Sequence, residues 1–189
     1  DLYEIRRNGV AQSIVKAHKN GATVVGICGG YQIMGQEVCD PNHVESNIER
    51  LPGLGLLPIT TQMEGEKVTR QVKFSFLDTQ SVCEGYEIHM GATTPVENAK
   101  KASLNKLEDG REDGYFVSEK CFGTYIHGIL DNGVVIDYLL SPYADKLSDT
   151  PFDIKAFKEE QYNKLADHVR KHVDMDLVYK IMTDNNGLS

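Results

Sequence analysis

No apolar run in this chain of 189 residues approaches the length needed to cross a bilayer. The longest, such as Thr23 to Cys28, suit buried strands, so no membrane partner is expected. Cations are also in short supply: Lys and Arg number 20 against 28 Asp and Glu, a formal net charge of −8. A phosphate backbone rewards clustered Lys and Arg. The lysines here are scattered among acids, and no nucleic-acid partner is expected either. Cysteine occurs four times, at positions 28, 39, 83 and 121, without a C-x-x-C pair. That spacing fits neither a disulfide framework nor a zinc site, which points to free thiols, a cytoplasmic setting and no bound metal. Internal repeats, low-complexity segments and linkers are missing, as is a G-x-x-x-x-G-K-[ST] phosphate loop. What is present, 40% hydrophobic and 25% charged residues, is ordinary for one globular domain with a proper core.

Periodicity supplies the organisation. Leu2 to Asn20 reads as a helix, with Leu2, Ile5, Ile14 and Ala17 near one face and Gly21 as its stop. Asp1 already stands inside that pattern, so further residues are expected upstream and the lack of a signal peptide carries no weight. Ala22 to Ile27 reads as a strand buried on both faces, followed by a helix over Gly30 to Val38. That rhythm implies a parallel α/β sheet. Pro41 to Pro58 reads as loop. Val72, Phe74 and Phe76 alternate with Lys73 and Ser75 as a half-exposed strand, and Gly85 to Met90 makes another. The turn dipeptides Asp109-Gly110 and Asp113-Gly114 lead into strands at Tyr115 to Val117 and Phe122 to Ile126. Helices are predicted over Gly133 to Leu140 and Asp153 to Val173, the second with Ile154, Phe157, Leu165 and Val169 as a buried stripe. Asp174 to Met182 adds a last turn or two.

The chemistry concentrates at Gly26-Ile27-Cys28-Gly29-Gly30-Tyr31-Gln32, between the buried strand and the next helix. A nucleophile on a sharp strand-to-helix turn stands clear of the sheet, and glycines around it avoid Cβ clashes. Free N–H groups of the helix start favour thiolate and lower the thiol pKa, and the N–H of Gly29 can help hold an oxyanion. A small buried cysteine in a Gly-rich turn is the bland alternative, which two glycines directly after Cys28 fit poorly. A nucleophilic thiol needs a base. His127, at the end of a predicted strand and just before Gly128, is the first candidate, since open α/β sheets build sites at strand ends. His89 has a similar setting and is its rival. His168 and His172 stand four apart on a helix without a third ligand nearby and read as surface. His18 and His43 carry no signal.

Gly26 to Gln32 resembles the nucleophile segment of class I (triad-type) glutamine amidotransferases. Gly85-Tyr86-Glu87-Ile88-His89-Met90-Gly91 and Gly123-Thr124-Tyr125-Ile126-His127-Gly128-Ile129 resemble, more narrowly, the C-terminal amidotransferase domain of the cobyric acid synthase family, which serves cobalamin biosynthesis. Leu165-Ala166-Asp167 and Arg170 add to the likeness, which runs from about Gly21 to the last residue. It implies a three-layer α/β sandwich with a mostly parallel central sheet whose first strand and early glycine loop would lie upstream of Asp1. Residues 1–189 would then be one glutaminase domain, the C-terminal fragment of a longer enzyme. Cys28 would attack the side-chain amide of glutamine and His127 would move the proton. Gly29, Gly30 and Gln32 would bind substrate or oxyanion. Most triad enzymes carry an acid two residues after the histidine, where this chain has Ile129. Glu87 is a candidate substitute, equally readable as a hydrogen-bonded strand carboxylate. The resemblance places no cofactor on this domain, and puts ATP, magnesium and the corrin substrate on a synthetase domain. The alternatives are an a,c-diamide synthase, a glutaminase subunit for cell-wall precursors, and a degenerate docking module without activity.

Overall fold

The computed structural model describes residues 2–146 and 154–184. They divide into two compact units, meeting in sequence at Ala144 and Asp145. The expected first helix is two: α1 (Leu2–Arg7) and α2 (Val10–Lys19). Gly9 breaks them by taking φ 83°, and Asn8 caps the N–H of Val10 at 3.1 Å.

β1 (Val24–Ile27) runs into α3 (Gly29–Met34), which ends earlier than expected. The chain then re-enters extended structure as β2 (Glu37–Cys39) and β3 (Arg50–Pro52), inside and just before the segment read as loop. The carboxylate of Asp40 rounds off β2 by accepting the N–H groups of Val44, Glu45 and Ser46 at 2.7–2.9 Å. A long hairpin follows, β4 (Ile59–Phe76) and β5 (Cys83–Pro95), with a register shift between Met63 and Val68. β6 (Asn105–Leu107), β7 (Glu112–Asp113), β8 (Tyr115–Ser118), β9 (Cys121–Thr124) and β10 (Ile126–His127) complete the strands of this unit. A 3-10 turn, Ile129–Asp131, leads to α4 (Gly133–Leu140).

Two sheets result. One has the order β1-β9-β8, the other β10-β5-β4-β2-β3 with β6 on β4 and β7 on β6. The chain is α/β and its sheets are mixed. Parallel pairing is confined to β1 with β9 and β2 with β4, so the expected mostly parallel sheet is corrected. The reason is local: Phe76 to Cys83 is short enough to return the chain as a hairpin, and most later connections are equally short. β9 and β10 are nearly continuous, which hands the chain from the first sheet to the second at Tyr125. One apolar cluster joins Val72, Phe74 and Phe76 to Phe122, Ile126 and Val135. Another joins Tyr31, Met34 and Ile59 to Tyr115 and Tyr125. Both flank this crossover.

The second unit holds α5 (Ile154–His172) and α6 (Met175–Asp184), with Asp174 capping the N–H of Leu177 at 3.0 Å. Asp153, where the long helix was expected to begin, lies outside the described residues. Its predicted stripe is not buried: Phe157, Leu165 and Val169 are 45%, 60% and 38% exposed. Among the described residues no helix is long and apolar enough to cross a membrane.

Candidate active site

Cys28 sits in the one-residue turn between β1 and α3 with φ 53° and ψ −115°. A non-glycine residue rarely adopts such a backbone, and bonds on either side over-determine it. The N–H of Cys28 donates to the carbonyl of Thr124 at 2.8 Å, and the N–H of Gln32 donates to the carbonyl of Cys28 at 3.1 Å. The thiol donates to the carbonyl of Ile88 on β5 at 3.3 Å. Steric need for glycine holds on one side only. A Cβ at Gly26 would lie 2.6 Å from Met34 Sδ and 2.8 Å from the Tyr31 backbone, whereas a Cβ at Gly29 or Gly30 would meet nothing within 4 Å. The last two glycines have open space where a Cβ would stand.

A cavity of about 190 Å³ has Gly29, Gln32, Ile33, Asp40, Glu45 and Met63 among its walls; neither Cys28 nor His127 lines it. Gln32 is steadied from behind, its Nε2 donating to the Tyr125 hydroxyl at 3.3 Å, with Thr93 and Thr61 continuing the chain at 2.6 and 2.7 Å. Burial pushes the Cys28 thiol pKa up; the N–H of Gly29 opposes this and the charge of Glu45 adds to it. The Gly29 N–H at the helix start does lower it, as anticipated, but burial of the sulfur outweighs that and the net direction is upward.

His127 ends β10, where it pairs with Tyr86 of β5. The two rings stack with centroids 5.1 Å apart and planes 6° apart. Its Nε2 is buried without a hydrogen-bond partner. Ile88, which holds the thiol, lies two residues along β5 from Tyr86, roughly 7 Å at strand spacing. β5 therefore carries the thiol contact and the imidazole contact on neighbouring repeats. His89 is engaged elsewhere. Its ring stacks on Tyr125 at 3.8 Å, Nδ1 contacts the Gly91 carbonyl at 2.9 Å, and Nε2 lies 3.9 Å from Glu87 Oε1.

Glu87 is buried and faces Arg70 at 3.3 Å and Arg111 at 3.1 Å. Burial alone would raise its pKa, but bonds from His89 and Arg111 and the two guanidinium charges outweigh that and hold it low. These partners make it a strand carboxylate in an ion-pair network; none of its contacts is with His127. The network lines a larger cavity, about 370 Å³, which includes His89 and Tyr125 but neither Cys28 nor His127. Among the described residues no group of three or more His, Cys, Asp or Glu could hold a metal ion. His168 and His172 stack on one another at 4.3 Å.

Reading the residues did not single out Asp113, marked only as a turn residue. Its buried carboxyl accepts the Thr124 hydroxyl, the Asn105 amide at 2.9 Å and the Tyr125 N–H at 2.9 Å. It thereby pins the crossover that presents the Thr124 carbonyl to Cys28 and carries the chain on to His127. Burial pushes its pKa up, against the pull of those bonds. Tyr86 was also passed over as an aromatic on a strand, because cross-strand register is not written in either strand alone.

The CobB/CobQ-like glutamine amidotransferase domain matches residues 1–135. The chain belongs to this family. A cobyric acid synthase of Bacteroides fragilis is 72% identical over 186 residues, covering 98% of this chain and 38% of that protein. Cobyric acid synthases of Phocaeicola vulgatus and Parabacteroides distasonis are 62% and 52% identical, over 98% and 95% of this chain. The chain thus spans about 38% of the length of the first two of these relatives. A solved structure titled as a glutamine amidotransferase overlays with TM-score 0.49 at 15% identity, covering 72% of this chain and 69% of that one. As a member of the family, the chain is a glutamine amidotransferase domain.

Proposed function

We propose that this domain hydrolyses glutamine at Cys28 to supply ammonia for the amidation of corrin carboxylates, as the glutaminase part of a cobyric acid synthase. The observation that carries the reading is the Cys28 elbow, a cysteine held at positive φ between β1 and α3, whose next residue, Gly29, lines a small cavity together with Gln32. The Cys28 sulfur attacks the side-chain carbonyl carbon of glutamine while His127 Nε2 takes the thiol proton. The oxyanion of the tetrahedral intermediate faces the Gly29 N–H. His127 returns the proton to the leaving nitrogen, ammonia departs, and a thioester remains on Cys28. Water then attacks the thioester, with His127 again as base, releasing glutamate and restoring the thiol.

Relatives of up to 72% identity named cobyric acid synthase support the corrin acceptor over other amidations. Residues beyond this chain would bind ATP, magnesium and the corrin. Four free cysteines are in keeping with a cytoplasmic enzyme. The test is glutamate release from glutamine by the whole protein that carries this chain. C28A and H127A are each expected to lower kcat by about 10³-fold or more, in line with the loss of a nucleophile or its base. Wild-type turnover in C28A would end this reading in favour of a docking role.

A further inference from the structure

A base that moves protons needs a group that holds its ring in place, and the two obvious carboxylate positions do not supply one here. Ile129, two residues beyond His127, is 1% exposed and packed in the apolar cluster with Ile126 and Val135. Glu87, paired with Ile126 in the β10–β5 register, commits its carboxylate to Arg70, Arg111 and His89. The described ring contact of His127 is with Tyr86.

We propose that Tyr86 is the positioning residue for His127, its ring face fixing the imidazole plane in place of an acid. This rests on the reading of His127 as the base. Three features make the contact a built one. The two residues are direct cross-strand partners, so the backbone itself sets them side by side. Their planes differ by only 6° at a centroid separation of 5.1 Å, within the range of offset stacking. The strands are also free to approach there, since a Cβ at Gly85 would lie 2.6 Å from the His127 carbonyl oxygen. Immediately beyond, Gly128 turns the chain away with φ 73°.

Stacking restricts rotation about the imidazole's last torsion and uses the ring faces only. Both nitrogens stay at the edges, and Nε2 is buried without a hydrogen-bond partner, so stacking leaves its proton-accepting edge uncommitted. A carboxylate would instead occupy one nitrogen. The role needs an aromatic face and not the phenol hydroxyl. Tyr86 is 42% exposed, so replacing it removes little of the core.

The experiment compares Y86F, Y86L and H127A in the whole protein that carries this chain, by steady-state glutamine hydrolysis. Y86F is expected to match wild type. Y86L is expected to lose about 10-fold to 100-fold in kcat with KM within about twofold, the pattern of a misaligned base with substrate binding intact. Equal kcat for Y86L and wild type, with H127A inactive, would overturn the role of Tyr86 and leave His127 as base. A Y86F defect as deep as that of Y86L would assign the effect to the hydroxyl and overturn the stacking account. A rise in KM at constant kcat would make Tyr86 a substrate contact instead. Retained turnover in H127A would remove the base assignment itself, and the inference with it.

Discussion

Cys28 is held in its positive-φ turn by Thr124 on one side and the first turn of α3 on the other, and its thiol rests against the Ile88 carbonyl. Burial raises the thiol pKa more than the Gly29 N–H lowers it. Burial therefore favours the thiol over the thiolate at rest, and in the proposed mechanism the proton leaves during attack. A group with a raised pKa loses its proton only as pH climbs through that raised value. Without substrate, iodoacetamide labelling of Cys28 is expected to accelerate with pH through a midpoint above the ordinary thiol value of about 8.5. Quantifying the labelled peptide across pH checks this; a midpoint well below neutrality would establish a thiolate–imidazolium pair instead. The candidate residues Cys28, Gln32 and His127 stand out in the sequence because glycine-flanked motifs mark them. Tyr86 and Asp113 were not, because their roles arise from which strand lies opposite and from burial, and neither is a local property of sequence.

The element that places Cys28 is β1 with α3, and its two kinds of glycine separate packing from open space. G26A would drive a Cβ into Met34 Sδ and the Tyr31 backbone, so α3 must shift. Overpacking of this kind costs about 1–3 kcal/mol. G29A meets nothing and starts a helix, so its stability is expected to stay level or rise by up to about 1 kcal/mol. Gly29 lines the small cavity, so the added methyl group is expected to raise KM for glutamine. Urea denaturation and steady-state kinetics on the pair check both halves, and a G29A variant that unfolds would show that the open space is not what it is taken to be. β1, α4 and the strands around Phe74, Tyr86 and Phe122 were readable from apolar runs and alternation. Most of β4 was not: Thr60 to Arg70 is nearly all polar, and its extended form comes from pairing with β5. β3 was hidden among loop residues, β2 at the end of the helix expected over Gly30 to Val38, and the break at Gly9 came from a single left-handed residue.

At the scale of the whole molecule, the family match covers residues 1–135, the part that contains every residue of the candidate site. The two-helix unit lies beyond it. Its predicted stripe failed because periodicity states which residues share a helix face and not whether anything covers that face. The chain spans about 38% of relatives named cobyric acid synthase, and acceptor chemistry in this account belongs to residues outside it. The central claim, that this domain is built around a glutamine-directed cysteine, needs only this chain. Treatment with a glutamine analogue that carries an electrophilic group in place of the side-chain amide, followed by peptide mass mapping, tests it most directly. The account predicts one adduct, on Cys28, slowed by added glutamine, with Cys39, Cys83 and Cys121 unmodified; preferential labelling of any of those three, or a Cys28 adduct indifferent to glutamine, would contradict it.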